Sequence, residues 1–164
     1  MTRVTVGGLS RSELIAALAA NNVLLNAHAE VLLANSIFDG RPEERGILVR
    51  ELTVADLGLA GGASLSQIFQ EAQDQGLLLC SLDTAPYLRL ALIEQASAPD
   101  TIMSSGSAPS SSITVASRII RDDDDFPKGF YLRVVDGQPW LRGYLCDDEH
   151  LWLPNDLFAF QVPS

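Results

Sequence analysis

The sequence predicts an α+β fold in which an N-terminal helical part packs with a C-terminal antiparallel sheet of about four strands. The apolar residues recur mostly at helical spacing in residues 1–103 and alternate as in strands in residues 113–164. Between these parts lies a Ser/Gly/Pro-rich segment, residues 104–112, which we expect to be a flexible loop because it cannot bury apolar area. The length of 164 residues is typical of one domain, so residues 1–164 are predicted to form a single domain.

The helical part contains two sequence signals for helix starts. Ser10 with Glu13, and Ser64 with Gln67, have the spacing of a capping box, in which two side chains satisfy the first free N–H groups of a helix. The predicted helices cover residues 10–21, 24–35, 64–76 and 84–96. Short strands are also expected at residues 3–6, 47–54 and 77–80.

The C-terminal part contains a strong β-hairpin signal. Asp136 and Gly137 are the residue types that a two-residue hairpin turn prefers, and strand-like patterns lie on both sides of them. The predicted strands of this part cover residues 113–119, 130–135, 139–146 and 157–162.

This hairpin register places the side chains of the two strands on two different faces. Arg133 lies opposite Trp140 and Tyr131 lies opposite Arg142, because side chains alternate along a strand. One face is apolar and is predicted to belong to the core: Phe130, Leu132, Val134, Leu141 and Leu145. The other face holds the candidate ligand-binding residues: Tyr131, Arg133, Trp140, Arg142 and Tyr144.

The Arg/aromatic face has the chemistry of a binding surface. Two guanidinium groups between three aromatic rings can stack on a planar group and hold a carboxylate or a phosphate. We therefore expect the partner to be a protein or a small anionic or planar ligand. The alternative is that these side chains only stabilise the sheet through cross-strand pairs, or are covered by the helical part.

Composition and charge exclude other classes of partner. The chain has 11 basic and 21 acidic residues and a formal net charge of −10, which disfavours binding to nucleic acids and to anionic membranes. It also lacks an apolar run near the ~20 residues of a membrane span. Cys80 and Cys146 both lie in apolar stretches and are expected to be unpaired core thiols. These features predict a cytoplasmic protein.

Two clusters could carry metal or nucleophile chemistry. The four aspartates at residues 122–125 do not fit a calcium loop, because Pro127 and Arg133 stand where glycine and glutamate are needed. A thiol, three carboxylates and an imidazole lie between Cys146 and His150, but zinc would need further ligands from elsewhere. His28 lies on the apolar stripe of its predicted helix, where a histidine most often belongs to the core. We predict neither a metal ion nor a cofactor.

Several segments resemble a family of small bacterial proteins that has no established activity or ligand. The segments are LTVADLG at 52–58, GLLLC at 76–80, APYLRL at 85–90, GFYLR at 129–133 and WLRGY at 140–144. The resemblance covers about residues 50–160 and implies a bacterial, stand-alone, intracellular protein. It implies no catalytic residue.

The sequence supports three hypotheses about function. The first is a non-catalytic binding or protein-interaction module that uses the Arg/aromatic face, with the acidic turn at 122–125 as a second contact. The second is a small hydrolase or transferase with a site near Cys146 and His150, which requires an activated thiolate. The third is a homodimer whose function belongs to the assembly. The sequence favours a protein that is not an enzyme.

Overall fold

The computed structural model describes residues 1–93, 95–101 and 108–164. Within these ranges the chain forms seven β-strands and four α-helices. The strands are β1 (Thr2–Val6), β2 (Leu24–Leu25), β3 (Arg45–Thr53), β4 (Ile113–Val115), β5 (Gly129–Val135), β6 (Gln138–Tyr144) and β7 (Leu157–Val162). The helices are α1 (Arg11–Ala20), α2 (Ala27–Leu33), α3 (Leu65–Asp74) and α4 (Thr84–Ala91).

All seven strands join one mixed sheet that curls into a half-barrel. The strand order is β1-β3-β7-β4-β5-β6-β2, with β4 parallel to β7 and β2 parallel to β6. The α+β class is confirmed, but the predicted helical part on a four-stranded antiparallel sheet is wrong. Three of the seven strands come from the N-terminal part, where only isolated strand patterns were expected.

The error arises from long-range strand pairing. β3 pairs with β7 through Leu48 opposite Val162 and Thr53 opposite Leu157, which are more than 100 residues apart in the chain. An alternating pattern predicts that a segment is a strand but does not name its partner. The predicted helix at 24–35 is shorter for a related reason. Its first two residues pair with β6, and α2 begins only after Asn26, its N-cap.

Both predicted capping boxes are confirmed. In the first, the Glu13 N–H donates to Ser10 Oγ at 3.3 Å and the Ser10 N–H donates to Glu13 Oε1 at 2.9 Å. Ser64 and Gln67 make the equivalent pair of bonds at the start of α3. These bonds satisfy backbone donors that the first helical turn leaves free.

The apolar core has two parts, one on each face of the sheet. Side chains alternate along β7, so Ala159 belongs to one cluster while Phe158 and Phe160 belong to the other. The first cluster contains the inner faces of α1, α2 and α4, and the second contains the inner face of α3 together with Trp152. None of the helices in the described ranges has the length and apolar character needed to span a bilayer.

The β5–β6 hairpin has the predicted register. Arg133 lies opposite Trp140 and Tyr131 lies opposite Arg142. Asp136 and Gly137 have φ angles of 51° and 75°, the two positive values that a type I′ turn requires. The predicted core face is buried except for Leu145, which follows β6 and is 43% exposed, so its assignment to the core is wrong.

The chain after α4 covers part of the edge of β5. β4 is short and pairs with β5 only at Tyr131 and Leu132. Beyond that point the Ala98 N–H donates to Val134 O at 2.7 Å, so residues 95–101 take the place of a longer β4. Of the predicted Ser-rich loop, residues 104–107 lie outside the described residues. Residues 108–112 pack against the sheet, where Ser112 is buried.

Arg89 anchors the residues that follow α4. Its guanidinium is fully buried and donates to Leu92 O at 2.6 Å and to Gln95 Oε1 at 2.7 Å. Gln95 in turn donates to Leu132 O at 3.3 Å. Burial lowers the pKa of Arg89 to about 10. A buried cation therefore holds the C-terminal end of α4 and the following residues close to the β5–β6 hairpin.

Helix α2 is anchored to β6 by Asn26 and Gly143. Asn26 Oδ1 accepts from the Gly143 N–H at 2.8 Å, and Asn26 Nδ2 donates to Gly143 O at 3.0 Å. A Cβ atom at Gly143 would lie 2.7 Å from the backbone carbon of His28, closer than such atoms can approach. The absence of a side chain at Gly143 therefore lets α2 pack directly on the strand and places His28 beside it.

We predict that Gly143→Ala destabilises the protein by about 1–3 kcal/mol, because the added methyl forces α2 away from β6. Gly46→Ala is the matched control in another strand, where the nearest atom to an added Cβ is 3.7 Å away. Urea unfolding of both variants measures the difference in free energy of unfolding. Equal stability of the two variants would contradict the role given to Gly143.

Candidate functional site

A pocket of about 370 Å³ lies where α2, strands β4–β6 and residues 145–152 meet. Its floor is the sheet face that carries Thr114, Tyr131 and Arg142, which are neighbours across three adjacent strands. The remaining lining residues come from four separate parts of the chain: Asn26, His28, Ala108, Pro109, Ser112, Gly143, Tyr144, Leu145, Cys146, His150 and Trp152. The volume falls within the usual range of small-molecule sites.

Arg142 lies between two aromatic rings of the predicted face. Its guanidinium carbon is 5.5 Å from the ring centre of Tyr131 and 5.4 Å from that of Trp140, within the range of cation–π attraction. The structure thus brings three of the five candidate residues into direct contact. Burial raises the pKa of Tyr131, and the charge of Arg142 acts in the opposite direction. Whether these residues bind a ligand stays a prediction.

Arg133, by contrast, is fully buried, and its guanidinium binds Asp100 and Ser110. Its Nε donates to Ser110 O at 3.0 Å, and its Nη2 donates to Asp100 Oδ1 at 3.1 Å. The two residues that it binds lie on either side of residues 102–107. Arg133 therefore joins the two ends of this segment to β5, and Arg142 is the guanidinium of the face that lines the pocket.

We predict that Arg133→Ala lowers the free energy of unfolding by about 3 kcal/mol or more, because partly buried acceptors lose their donor and a cavity remains. Arg142→Ala should cost less, about 1 kcal/mol, because Arg142 is only partly buried and its guanidinium packs on two aromatic rings. Urea unfolding of the two variants tests this order. If the two losses were equal, or larger for Arg142→Ala, the division of roles would be wrong.

The pocket brings together both histidines of the chain. His28 at the start of α2 and His150 after β6 line the same space as Arg142, although they are 122 positions apart. Among the described residues that line the pocket, none is an aspartate or a glutamate. The described lining therefore includes the charge of Arg142 and no carboxylate, whereas the whole chain has a net charge of −10.

An aromatic cluster forms the wall of the pocket near His150. The Trp152 ring makes edge-on contacts with Tyr144 at 5.6 Å and with His150 at 5.2 Å between ring centres. The Tyr144 side chain lies across Gly129 of β5. A Cβ atom at Gly129 would be 3.3 Å from the hydroxyl oxygen of Tyr144. Burial raises the pKa of Tyr144 well above its ordinary value, so its hydroxyl stays protonated.

Two polar atoms in this wall lack a hydrogen-bond partner among the described residues. They are the indole Nε1 of Trp152 and the hydroxyl oxygen of Tyr144, and both atoms are buried. Trp152 as a whole is 4% exposed. Buried donors are nearly always satisfied in folded proteins, so these two need an explanation.

Cys146 lines both this pocket and a second pocket, whose lining includes four carboxylates: Asp122, Asp124, Asp147 and Asp148. Burial raises the pKa of Cys146 to about 11, and nearby carboxylates, among them Asp147, act in the same direction. The charge of Lys128 opposes them but does not prevail. Lys128 Nζ is buried and donates to Arg121 O at 2.8 Å and to Asp123 O at 2.5 Å, which organises the acidic turn.

This environment is unfavourable for a nucleophilic cysteine, because a thiolate is the reactive form. We predict that Cys146 reacts with iodoacetamide at neutral pH at least about tenfold more slowly than free cysteine. The rate should increase with pH up to about 11, where the thiol loses its proton. Mass spectrometry locates the modified residue, and a Cys146→Ser variant is the control. Fast modification of Cys146 at neutral pH would revive the hydrolase or transferase hypothesis.

The described ranges hold no group of three or more His, Cys, Asp and Glu side chains that could bind a metal ion. Asp148, from the cluster between Cys146 and His150, accepts from Ser66 Oγ at 2.6 Å and so fixes this loop to α3. Asp147 accepts from the His150 N–H at 2.8 Å. Two carboxylates of this cluster therefore have structural roles.

Comparisons of the chain with protein-family models, with curated proteins and with solved structures find no significant match. The sequence predicted Tyr131, Arg142 and Tyr144 of this pocket but not His28, His150 or Trp152 as parts of it. A weak signal was available, since histidine occurs only twice in the chain and His150 follows the Arg/aromatic strand by six positions.

Proposed function

We propose that the chain is a non-catalytic binding protein that holds a small planar anion in the pocket beside Arg142. The observation that carries this proposal is the composition of the pocket. One guanidinium and both imidazoles of the chain line it, without a lining carboxylate among the described residues, in a protein of net charge −10.

The stacked position of Arg142 supports this function. The rings of Tyr131 and Trp140 hold the guanidinium in place, so little side-chain entropy is lost when an anion binds. A guanidinium offers a planar pair of donors that matches the two oxygens of a carboxylate. Tyr131 lies directly beside it on the pocket floor and provides an aromatic surface for a planar ligand.

The chemistry of the pocket supports binding more than catalysis. Cys146, the nucleophile of the second hypothesis, has a pKa raised to about 11 by burial. Lys128 lowers the pKa of this thiol, but burial and the neighbouring carboxylates outweigh that effect, whereas the pKa of an active thiol is lowered by a cation beside it. The charge of −10 favours a partner other than nucleic acid or membrane, and two free cysteines favour a reducing cytoplasm.

Benzoate provides a direct test of this function, with benzamide as its uncharged counterpart. Both tryptophans of the chain, Trp140 and Trp152, lie at the site, so intrinsic fluorescence reports on binding. We expect saturable binding of benzoate and much weaker binding of benzamide. Arg142→Ala should weaken benzoate binding by about 10–100-fold, because the charged donor is lost.

Arg50→Ala is the matched control, because it removes one positive charge from an exposed position on β3 outside the pocket. We expect it to bind benzoate as the wild type does. Equal binding of benzoate and benzamide, or equal loss in the two arginine variants, would show that the pocket does not select an anion.

A further inference from the structure

The two unsatisfied donors in the pocket wall define a second recognition element. The indole Nε1 of Trp152 can only donate a hydrogen bond, so only an acceptor can satisfy it. Tyr144, whose hydroxyl is the other unsatisfied atom, lines the same pocket as Trp152. Their rings are in edge-on contact, so the two donors belong to one rigid unit.

Two polar side chains of the pocket, those of Asn26 and Ser112, bind other parts of the protein. Asn26 uses both its amide oxygen and its amide nitrogen on the backbone of Gly143 and on the start of α2. Ser112 Oγ donates to Pro109 O at 2.7 Å. The lining also holds the guanidinium of Arg142 and, at Trp152, a buried donor that has no hydrogen-bond partner among the described residues.

This arrangement suits a carboxylate better than a phosphate. A phosphate is usually bound by several convergent donors or by a cluster of arginines. The described lining residues supply a single guanidinium, and much of the remaining wall is aromatic: Tyr131, Tyr144, His150 and Trp152. Flat aromatic ligands gain from such walls through stacking and edge contacts.

We infer that the ligand is an aromatic heterocyclic carboxylate, with its carboxylate on Arg142 and a ring acceptor opposite it that receives the N–H of Trp152. This inference rests on the proposed function, since it uses the same pocket. It adds the chemical class of the ligand and gives a role to the buried donors, which a purely structural aromatic cluster would leave unexplained.

A matched pair of compounds tests the ring acceptor on the unaltered protein. Quinoline-6-carboxylate and naphthalene-2-carboxylate have the same shape and charge, but only the quinoline carries a ring nitrogen, far from the carboxylate. Isothermal titration calorimetry measures the affinity of each compound. We expect the quinoline to bind about tenfold more tightly, because the naphthalene leaves a buried donor unsatisfied.

Two variants assign the acceptor contact to its donor. Trp152→Phe keeps an aromatic ring but removes the N–H, so it should bring the affinities of the two compounds close to each other. Tyr144→Phe removes the hydroxyl with little change in shape, and it should reduce the preference by a smaller factor. Since the preference is a ratio measured within one variant, a moderate loss of stability does not change its meaning.

The outcomes separate the two proposals. Equal binding of the two compounds to the wild type would overturn the ring-acceptor inference while leaving anion binding intact. Binding of inorganic phosphate but of neither aromatic compound would overturn the ligand class and retain an anion site. If neither the aromatic carboxylates nor phosphate bound, the proposed function itself would be contradicted.

Discussion

The register of the β5–β6 hairpin is the constraint on which the site depends. Asp136 and Gly137 form a two-residue turn with positive φ angles, which fixes every cross-strand pair of the hairpin. A slip of one residue would exchange the two faces. It would place Arg142 among the apolar side chains that pack under α2 and α4, and Leu141 in the pocket. The position of the guanidinium therefore follows from two residues that do not themselves line the pocket.

The pocket itself depends on segments that reach the hairpin from elsewhere in the chain. Asn26 and Gly143 bring α2 and His28 to β6, and the residues after β6 return Trp152 and His150 to the same face. Two fully buried guanidiniums, Arg89 and Arg133, hold the chain that borders the other side. Removing such a group leaves buried acceptors without a donor, which makes these contacts costly to lose. Arg89 and Arg133 thus stabilise the fold from within, whereas Arg142 places a positive charge in the pocket.

The local features of this fold could be predicted from the sequence, and the long-range ones could not. The capping boxes at Ser10 and Ser64 and the hairpin register depend on residues a few positions apart, and all are confirmed. The pairing of β3 with β7 depends on which strands meet, and alternation carries no information about that. Arg133 and Arg142 show the same limit within the site. The two arginines have equivalent places in the alternating pattern of the hairpin. In the structure, however, Arg133 is buried and binds Ser110, whereas Arg142 lines the pocket.

Nuclear magnetic resonance of the two histidine side chains tests the central claim most directly, because His28 and His150 line one pocket only if that pocket forms as described. The imidazole signals of both residues are followed during titration with benzoate, and His→Gln variants assign them. The account predicts that both signals shift with one dissociation constant and that Arg142→Ala suppresses both shifts. Shifts of one imidazole alone, or saturable benzoate binding that moves neither, would contradict it.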